Sequence, residues 1–156
     1  MAEIREALTE AQIQQVRMLF REYHAELAPE LQHAEFEREV EGLPGRYASP
    51  VGALLLASVE GQPAGCVGLR PYPQLERACE MKRLYVRAAF RKHKLGLLLV
   101  QAIIEEARKR GYERLRLDTH PPTMQSAVAL YERLKFTVVT EVANAMSGLV
   151  YMELKL

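Results

Sequence analysis

The sequence predicts a mixed α/β fold in a single domain. Segments with helical spacing of apolar residues alternate with short apolar runs along the whole chain. The length of 156 residues suits one domain with a sizeable core, and no repeat or linker divides it. Apolar residues make up 49% and charged residues 26% of the chain, the balance of an ordinary globular protein rather than a disordered one. We therefore expect one domain over residues 1–156.

Helices are predicted where apolar residues recur at helical spacing. One begins at Thr9, has Gln12 at the spacing of a capping box, and ends at Pro29. Another begins at Leu95 and carries an apolar stripe as far as a natural stop at Gly111. Two further helices are predicted, over the acidic residues 30–41 and from Pro121-Pro122-Thr123 to about residue 134.

Strands are predicted where short apolar or alternating runs lie between turn-forming residues. Gly61-Gln62 separates two such runs, which favours a hairpin, and residues 42–50 have the composition of a loop. In regular extended geometry, the run 78–86 would place Glu80 and Val86 on the same face of the sheet. The predicted strands are 3–7, 52–60, 63–72, 78–86, 113–119, 136–142 and 149–156.

Charge and cysteine content exclude several classes of protein. The net charge of +1 lacks the general basic field of nucleic-acid binders. Cys66 and Cys79 lie in predicted strands without metal-ligand spacing, so we expect free, half-buried thiols, and the four scattered histidines form no zinc pattern. No apolar run reaches signal-peptide form or the roughly 18 residues of a membrane span. We expect a cytoplasmic protein with no membrane, nucleic-acid or metal partner.

The segment RKHKLG, residues 91–96, places four cationic or titratable basic side chains at a helix start. The positive end of the helix dipole disfavours them there unless an anion binds. A strand–loop–helix junction is a common phosphate site because free backbone N–H groups converge on it. The chain has neither a P-loop nor a G-x-G-x-x-G motif. Because the basic cluster is local, it favours a small anionic ligand over a polyanion.

Two motifs resemble those of the GNAT superfamily of N-acetyltransferases. RKHKLG resembles its acyl-CoA pyrophosphate loop, [Q/R]-x-x-G-x-[G/A], with Arg91 and Gly96 matching and Lys94 at the first glycine position. AVALYERLKF, residues 127–136, is similar to the A-x-x-L-Y-x-x-L-G-F helix of that family, with Lys135 in place of its glycine. The resemblance runs from residue 4 to the final strand and favours a subgroup whose substrates are generally unassigned.

This resemblance implies a fold, a reaction and a cofactor. The fold would be a central mixed, mostly antiparallel sheet flanked by helices and splayed where the pantetheine arm inserts. The reaction would be direct attack by an amine of a small molecule or peptide on acetyl-CoA in a ternary complex, without a metal. Glu80 would be the general base, and Tyr131 would protonate the coenzyme A sulfur. A backbone N–H near residues 84–86 would meet the oxyanion.

The resemblance also implies the acetyl-CoA contacts, and it identifies one departure from the family. Met124 stands where many members have an asparagine that helps to hold the cofactor. The implied contacts are Leu84, Tyr85, Val86, Arg91, Lys92, His93, Lys94, Leu95, Gly96 and Leu97.

Plainer interpretations of these residues stay open at this point. Glu80 also fits an ordinary strand carboxylate, Tyr131 a core residue, and the basic segment a solvated charge run. Residues 29–41 hold five glutamates and one arginine, which would form either an acidic wall for a cationic amine or a solvated helix face. The competing functions are a non-catalytic acyl-CoA-binding sensor and, more remotely, a nucleic-acid binder. A homodimer is a further expectation.

Overall fold

The computed structural model describes residues 1–120, 125–142 and 145–156, in which helices cover both faces of one seven-stranded sheet. The strands are β1 Ala2–Glu6, β2 Ala53–Val59, β3 Gln62–Pro71, β4 Ala78–Val86, β5 Arg114–Thr119, β6 Thr137–Val139 and β7 Val150–Lys155. The helices are α1 Glu10–Glu26, α2 Phe36–Glu41, α3 Leu95–Lys109 and α4 Gln125–Arg133. Short 3₁₀ turns span Pro29–Leu31, Gly45–Tyr47 and Ala88–His93.

The sheet is mixed and mostly antiparallel, as the family resemblance implies. Its strand order is β1-β2-β3-β4-β5-β7-β6, and only β4 and β5 run parallel. The parallel pairing is short, because it extends from Ala78↔Arg114 only to Glu80↔Arg116. Beyond that point β4 and β5 continue without a described backbone pair, so the sheet opens in its middle.

Two hydrophobic layers hold the helices to the sheet. On one face, α3 packs Leu99 and Ile103 against Leu69 and other buried residues of the central strands. On the other face, α1 and α2 pack their aromatic side chains around Tyr47, whose ring lies flat against Gly68. A Cβ atom at Gly68 would meet that ring at 2.6 Å, so only glycine permits this close approach. Each large apolar side chain buried here contributes about 1.5–3 kcal/mol to folding.

Local signals account for several of these elements. Thr9 Oγ1 accepts a hydrogen bond from the Gln12 N–H at 3.2 Å, and Gln12 Oε1 accepts one from the Thr9 N–H at 3.1 Å. This confirms the predicted capping box of α1. The β2–β3 hairpin is also confirmed, although its turn residues are Glu60 and Gly61, with φ of 50° and 80°, and Gln62 already belongs to β3.

The prediction of one helix over residues 30–41 was wrong. A turn at Pro29–Leu31 is followed by a helix only from Phe36. The physical reason is that this segment buries only two side chains on the sheet, Phe36 and Val40, one helical turn apart. Without further apolar contacts, the helix has nothing to extend it toward its N-terminus. The predicted strand 136–142 is likewise shorter, since β6 covers only Thr137–Val139.

The two thiols are free, as expected, but fully buried rather than half-buried. Because helices cover both faces of the central strands, Cys66 lies in the α1 layer and Cys79 in the α3 layer. Burial raises the pKa of the Cys66 thiol far above its usual range, and it raises that of Cys79 to about 12. Neither thiol is therefore a nucleophile near neutral pH.

Some predictions fall on residues outside the described part of the chain, and others state that the protein has no membrane-spanning helix and no metal site. Pro121-Pro122-Thr123 and Met124 lie outside the described residues. Within the described part of the chain, no helix is both long and apolar enough to cross a membrane. The same residues contain no cluster of three or more histidine, cysteine, aspartate or glutamate side chains that could hold a metal ion.

A left-handed residue ends α4, as the family's glycine at this position implies. Lys135 has a φ of 76°. Its N–H donates to the Glu132 carbonyl at 3.0 Å, and the Phe136 N–H donates to the Tyr131 carbonyl at 3.0 Å. These two bonds form a Schellman motif, in which glycine is preferred because other residues pay a steric cost in this conformation.

Replacing Lys135 by glycine is expected to stabilise the protein by roughly 0.5–1 kcal/mol. The steric cost of the left-handed conformation is relieved, and the greater freedom of the unfolded chain offsets part of the gain. Thermal unfolding followed by circular dichroism would show a rise of a few degrees. Lys135→Ala is the control, because it removes the same long side chain but keeps Cβ and should not show this gain. A clearly lower melting temperature for Lys135→Gly would contradict the prediction.

Candidate active site

The opening between β4 and β5 forms a cleft of about 660 Å³. Its walls are the C-terminal end of α1, the second half of β4, the start of α3, the end of β5 and one side of α4. All of these segments lie at or beyond the last β4–β5 pair, Glu80↔Arg116, in the direction in which the strands separate. The cleft is therefore a direct result of the interrupted sheet.

A β-bulge in β4 changes which side chains face the cleft. Arg83 has a φ of 62°, and the pairing with β3 shifts so that Arg83 and Leu84 together oppose Val67. The extra residue reverses the alternation of side chains along the strand. Val86 packs with the α3 layer, whereas Glu80 lies on the α1–α2 face beside Arg70. The prediction that Glu80 and Val86 share one face was therefore wrong.

The Arg83 side chain anchors the bulge to α2. Its Nε and Nη2 donate to the two carboxylate oxygens of Glu39 at 2.9 and 3.0 Å, and its guanidinium lies 5.2 Å from the centre of the Phe36 ring. Tyr47 Oη also donates to Glu39 at 3.3 Å. Burial raises the pKa of Glu39, but the Arg83 hydrogen bonds and charge outweigh it and hold that pKa below its usual value. The carboxylate therefore stays ionised.

Backbone groups of Leu84 and Val86 point toward the cleft. The Arg87 N–H donates to the Ala64 carbonyl of the preceding strand at 2.8 Å, whereas the Val86 carbonyl accepts from Arg91 Nε at 2.9 Å on the other edge. Backbone groups of successive residues in a strand point to opposite edges, so those of Leu84 and Val86 face away from β3. This is the place where the family resemblance implies an oxyanion donor.

The predicted anion-binding segment forms a 3₁₀ turn followed by α3. Lys94 joins the two with a φ of 56°, and no side chain caps the first turn of α3 in the described structure. Free N–H groups of that turn are available to a ligand. A Cβ atom at Gly96 would have no heavy atom within 4 Å, so this backbone is open on one side. Arg91 Nη2 also bonds Glu26 of α1 at 3.0 Å, which ties the segment to the cleft wall.

The ten predicted cofactor residues do not all present side chains to the cleft. Lys92 and His93 are exposed and are not among its described lining residues. The side chain of Leu95 is fully buried beneath the loop, and that of Tyr85 bonds Glu26 on the α1 face. The predicted residues that line the cleft are Leu84, Tyr85, Val86, Arg91, Lys94, Gly96 and Leu97.

Tyr131 lines the cleft from α4 and is also part of the core. Its side chain is only 4% exposed, and its ring centre lies 5.7 Å from that of Phe136. Burial and, to a lesser degree, the nearby Tyr23 and the negative charge of Asp118 raise the pKa of Tyr131 well above its usual value. The phenol thus keeps its proton at neutral pH, although the raised pKa makes it a weaker acid than an exposed tyrosine.

Glu80 lies deeper in the sheet than the cleft lining. Its Oε1 accepts from Arg70 Nε at 2.6 Å and lies 4.0 Å from Arg46, and its side chain is 14% exposed. It is not among the residues that line the described cleft, whose carboxylates belong to Glu26 and Asp118. A base at Glu80 would have to share its carboxylate with the Arg70 guanidinium.

Sequence reasoning missed several polar residues of the cleft wall, among them Tyr23, Lys82, Arg83 and Asp118. A charge at the end of the alternating strand segment LRLDT was a usable signal for Asp118, because strand ends at an opening often carry function. The other three had no comparable signal, since their exposure depends on the bulge and on the position of α1.

Comparison with known proteins supports the resemblance. A sequence profile described as the Acetyltransferase (GNAT) family matches residues 13–136. The chain belongs to the GNAT family. It is 38% identical to an uncharacterized N-acetyltransferase of Schizosaccharomyces pombe over 142 residues, 90% of this chain and 86% of that protein. Family and relative make this GNAT chain an N-acetyltransferase, and they do not support the alternative of a non-catalytic acyl-CoA-binding sensor.

Solved GNAT structures share the whole fold. An acetyltransferase from Salmonella typhimurium, determined with its cofactor acetyl-CoA, superimposes with a TM-score of 0.76 at 18% identity, covering 99% of this chain and 93% of that one. The PaiA N-acetyltransferase from Thermoplasma acidophilum, determined with coenzyme A, gives 0.76 at 19% identity, with 100% and 99% coverage. At these identities the likeness establishes the fold of this GNAT domain.

Glu39→Gln is expected to destabilise the protein by about 3 kcal/mol, because it leaves the Arg83 guanidinium buried without its counter-charge. Urea unfolding at neutral pH measures the loss. Glu37→Gln on the same helix is the control. Its partner Arg21 is exposed, so the loss there should be much smaller. Equal losses in the two variants would contradict the role of Glu39.

The same pair predicts a pH dependence. Because folding lowers the pKa of Glu39, its contribution is complete above the unfolded pKa and is lost as the pH falls through the lower folded pKa. The free energy of unfolding of the wild type should therefore fall more steeply with decreasing pH than that of Glu39→Gln. Urea unfolding of both proteins at a series of pH values should give free energies that converge at low pH.

Proposed function

We propose that the cleft binds acetyl-CoA with the pyrophosphate at the start of α3 and the thioester between β4 and β5, where an amine attacks it. The observation that carries the proposal is the opening of the sheet between a cationic helix start and the Tyr131 side chain. The GNAT structures determined with acetyl-CoA or coenzyme A support it. The amine belongs to a small molecule or a peptide.

The cofactor contacts in this proposal divide into side-chain and backbone contacts. Arg91 and Lys94 supply positive charge, while Gly96 leaves room for the phosphates beside the free N–H groups of α3. The backbone of Leu84 and Val86 pairs with the pantetheine arm and receives the oxyanion. Tyr85 and Leu95 contribute backbone only, because their side chains are engaged elsewhere.

During the transfer the nitrogen loses two protons and the sulfur gains one. The acceptor ammonium, with a pKa near roughly 10, first loses a proton, and its lone pair then attacks the thioester carbon. The C–N bond forms, the C–S bond breaks, and the sulfur takes a proton from Tyr131. A second proton leaves the nitrogen, and Tyr131 is reprotonated, so the net products are an amide and free coenzyme A.

Glu80 remains the proposed base for the first proton. The family pattern supports this role, and its carboxylate lies on the same strand as the backbone groups of the cleft. Its bond with Arg70 must loosen, or a water must relay the proton, before it can accept one. A cytoplasmic location, the absence of a metal and a homodimer also stay predictions.

Cofactor binding can be tested by comparing two lysines of the loop. Acetyl-CoA at millimolar concentration should raise the melting temperature, because it binds the native state alone, and acetate should not. Lys94→Gln is expected to raise the KM for acetyl-CoA by about tenfold, the usual effect of a lost charge-assisted hydrogen bond. Lys92→Gln, which removes an exposed charge outside the described cleft lining, is the matched control and should change the KM for acetyl-CoA less. The absence of any thermal shift with acetyl-CoA or coenzyme A would refute cofactor binding.

The two proposed proton-transfer residues should leave different pH signatures. Glu80→Gln should lower kcat/KM by about 10²-fold near neutral pH, and the deficit should shrink at high pH, where solvent deprotonates the amine. Tyr131→Phe should lower kcat with little change in acetyl-CoA affinity, because the ring still packs, and this deficit should persist at high pH. Thiol release with one accepted amine gives both profiles.

Glu113→Gln, an exposed carboxylate variant outside the cleft, controls for the loss of a surface charge. Near-normal activity of Glu80→Gln at every pH would place the base elsewhere. Near-normal activity of Tyr131→Phe would make Tyr131 a core residue only.

A further inference from the structure

The inner end of the cleft, near the last β4–β5 pair, carries charges of both signs. Lys82 on β4 and Asp118 on β5 each lie two residues beyond the Glu80↔Arg116 pair. Lys82 Nζ lies 3.0 Å from Asp118 Oδ2, and the two side chains are 17% and 28% exposed. An ion pair therefore bridges the strands just where their backbone pairing has stopped, and both side chains line the cleft.

This ion pair is close to the proposed reaction centre. Asp118 lines the same cleft as Tyr131 of α4 and Tyr23 of α1. Tyr23 in turn lies 5.8 Å below the Arg83 guanidinium at the bulge. An acceptor that contacts Asp118 would therefore have its nitrogen near the thioester held along β4.

An acidic wall does not line this end in the described structure. None of the glutamates of residues 29–41 is among the cleft-lining residues there. Glu37 pairs with Arg21, and Glu39 neutralises Arg83. Of the two carboxylates in the described lining, Glu26 bonds Tyr85 and Arg91, so a purely cationic acceptor at this end would meet that of Asp118, already shared with Lys82. Like-charge repulsion from Lys82 would oppose its binding.

An acceptor that carries both charges avoids this conflict. Its ammonium can pair with Asp118 while a carboxylate pairs with Lys82, so neither protein charge is left without a partner. A simple amine that pairs with Asp118 displaces Lys82 and leaves the Lys82 ammonium without its counter-charge. Leu27, Tyr23 and Met81 add apolar and aromatic surface for the remainder of such a molecule.

We propose that the acceptor is a small zwitterionic amine, an amino acid in its chemical class, held by Lys82 and Asp118. This inference rests on the proposed acetyl transfer. The bound ammonium loses one proton to Glu80 or water, and its nitrogen forms the C–N bond as the C–S bond breaks. The sulfur receives the Tyr131 proton, and the second proton lost by the nitrogen restores Tyr131. The product is an N-acetyl amino acid with no ammonium, so Asp118 turns back to Lys82 and competes with the product carboxylate, which favours release.

The test compares each proteinogenic amino acid with the amine that lacks its carboxylate and with its carboxamide, by thiol release from acetyl-CoA. We expect at least one amino acid to have a kcat/KM about tenfold or more above that of both analogues, as the loss of a charge-assisted contact implies. Simple amines or carboxamides used as well as every accepted amino acid would overturn the inference and leave acetyl transfer intact.

Two further outcomes separate the inference from the proposed function. If acetyl-CoA raises the melting temperature but no amino acid is acetylated, the zwitterionic acceptor is wrong and cofactor binding stands. If acetyl-CoA gives no thermal shift and no thiol release, the proposed function fails, and the inference fails with it.

Lys82→Gln tests the carboxylate contact directly. The ratio of kcat/KM for the best amino acid to that for its decarboxylated analogue should fall toward one. A ratio is insensitive to a partly unfolded preparation, so a purely structural defect would not change it. Lys109→Gln is the matched control, since this lysine pairs with Glu106 at 3.3 Å, is 68% exposed and lies outside the cleft lining. An unchanged ratio in Lys82→Gln would overturn the assignment of Lys82.

Discussion

The salt bridge between Glu39 and Arg83 holds the bulge on which the cleft depends. A bulge inserts a residue into one strand, bends it and increases its twist. Here the bulge lies three residues beyond the last β4–β5 pair, and the Glu39 carboxylate from α2 holds the guanidinium of the bulge residue Arg83. Strand and helix are thereby locked together although they are far apart in the chain. The backbone groups of Leu84 and Val86 then face an opening, where a ligand can take the place of a neighbouring strand.

The positive and negative side chains of this nearly neutral chain occupy different parts of the site. Cations gather at the start of α3, where free N–H groups add to their field. Glutamates of α1 and α2 bind arginines, and of the four in these pairs Glu26, the partner of Arg91, also lines the described cleft. At the inner end, opposite charges meet across the opening in the Lys82–Asp118 pair. The site therefore combines a cationic entrance with a pair of opposite charges at its inner end.

Features that rest on a few consecutive residues could be predicted well. The capping box at Thr9, the hairpin near Gly61 and the left-handed position of Lys135 depend on hydrogen bonds within one turn of chain. The fold class followed from periodicity, and the family from two short motifs. The helix over 30–41 was wrong for the opposite reason, because its length depends on what the sheet offers for its side chains to pack against.

The sequence by itself determined the element types and the basic helix start, since these are properties of local spacing and composition, and its resemblance to the GNAT motif implied Tyr131 as a candidate acid. Only the tertiary structure decided which side chains meet. A single bulge placed Glu80 and Val86 on opposite faces of the sheet, because one inserted residue shifts the alternation of the side chains that follow it by one position. The partners of Arg83 and Lys82 lie more than thirty residues away along the chain. Such pairings are set by the packing of the whole domain, which no short stretch of sequence contains.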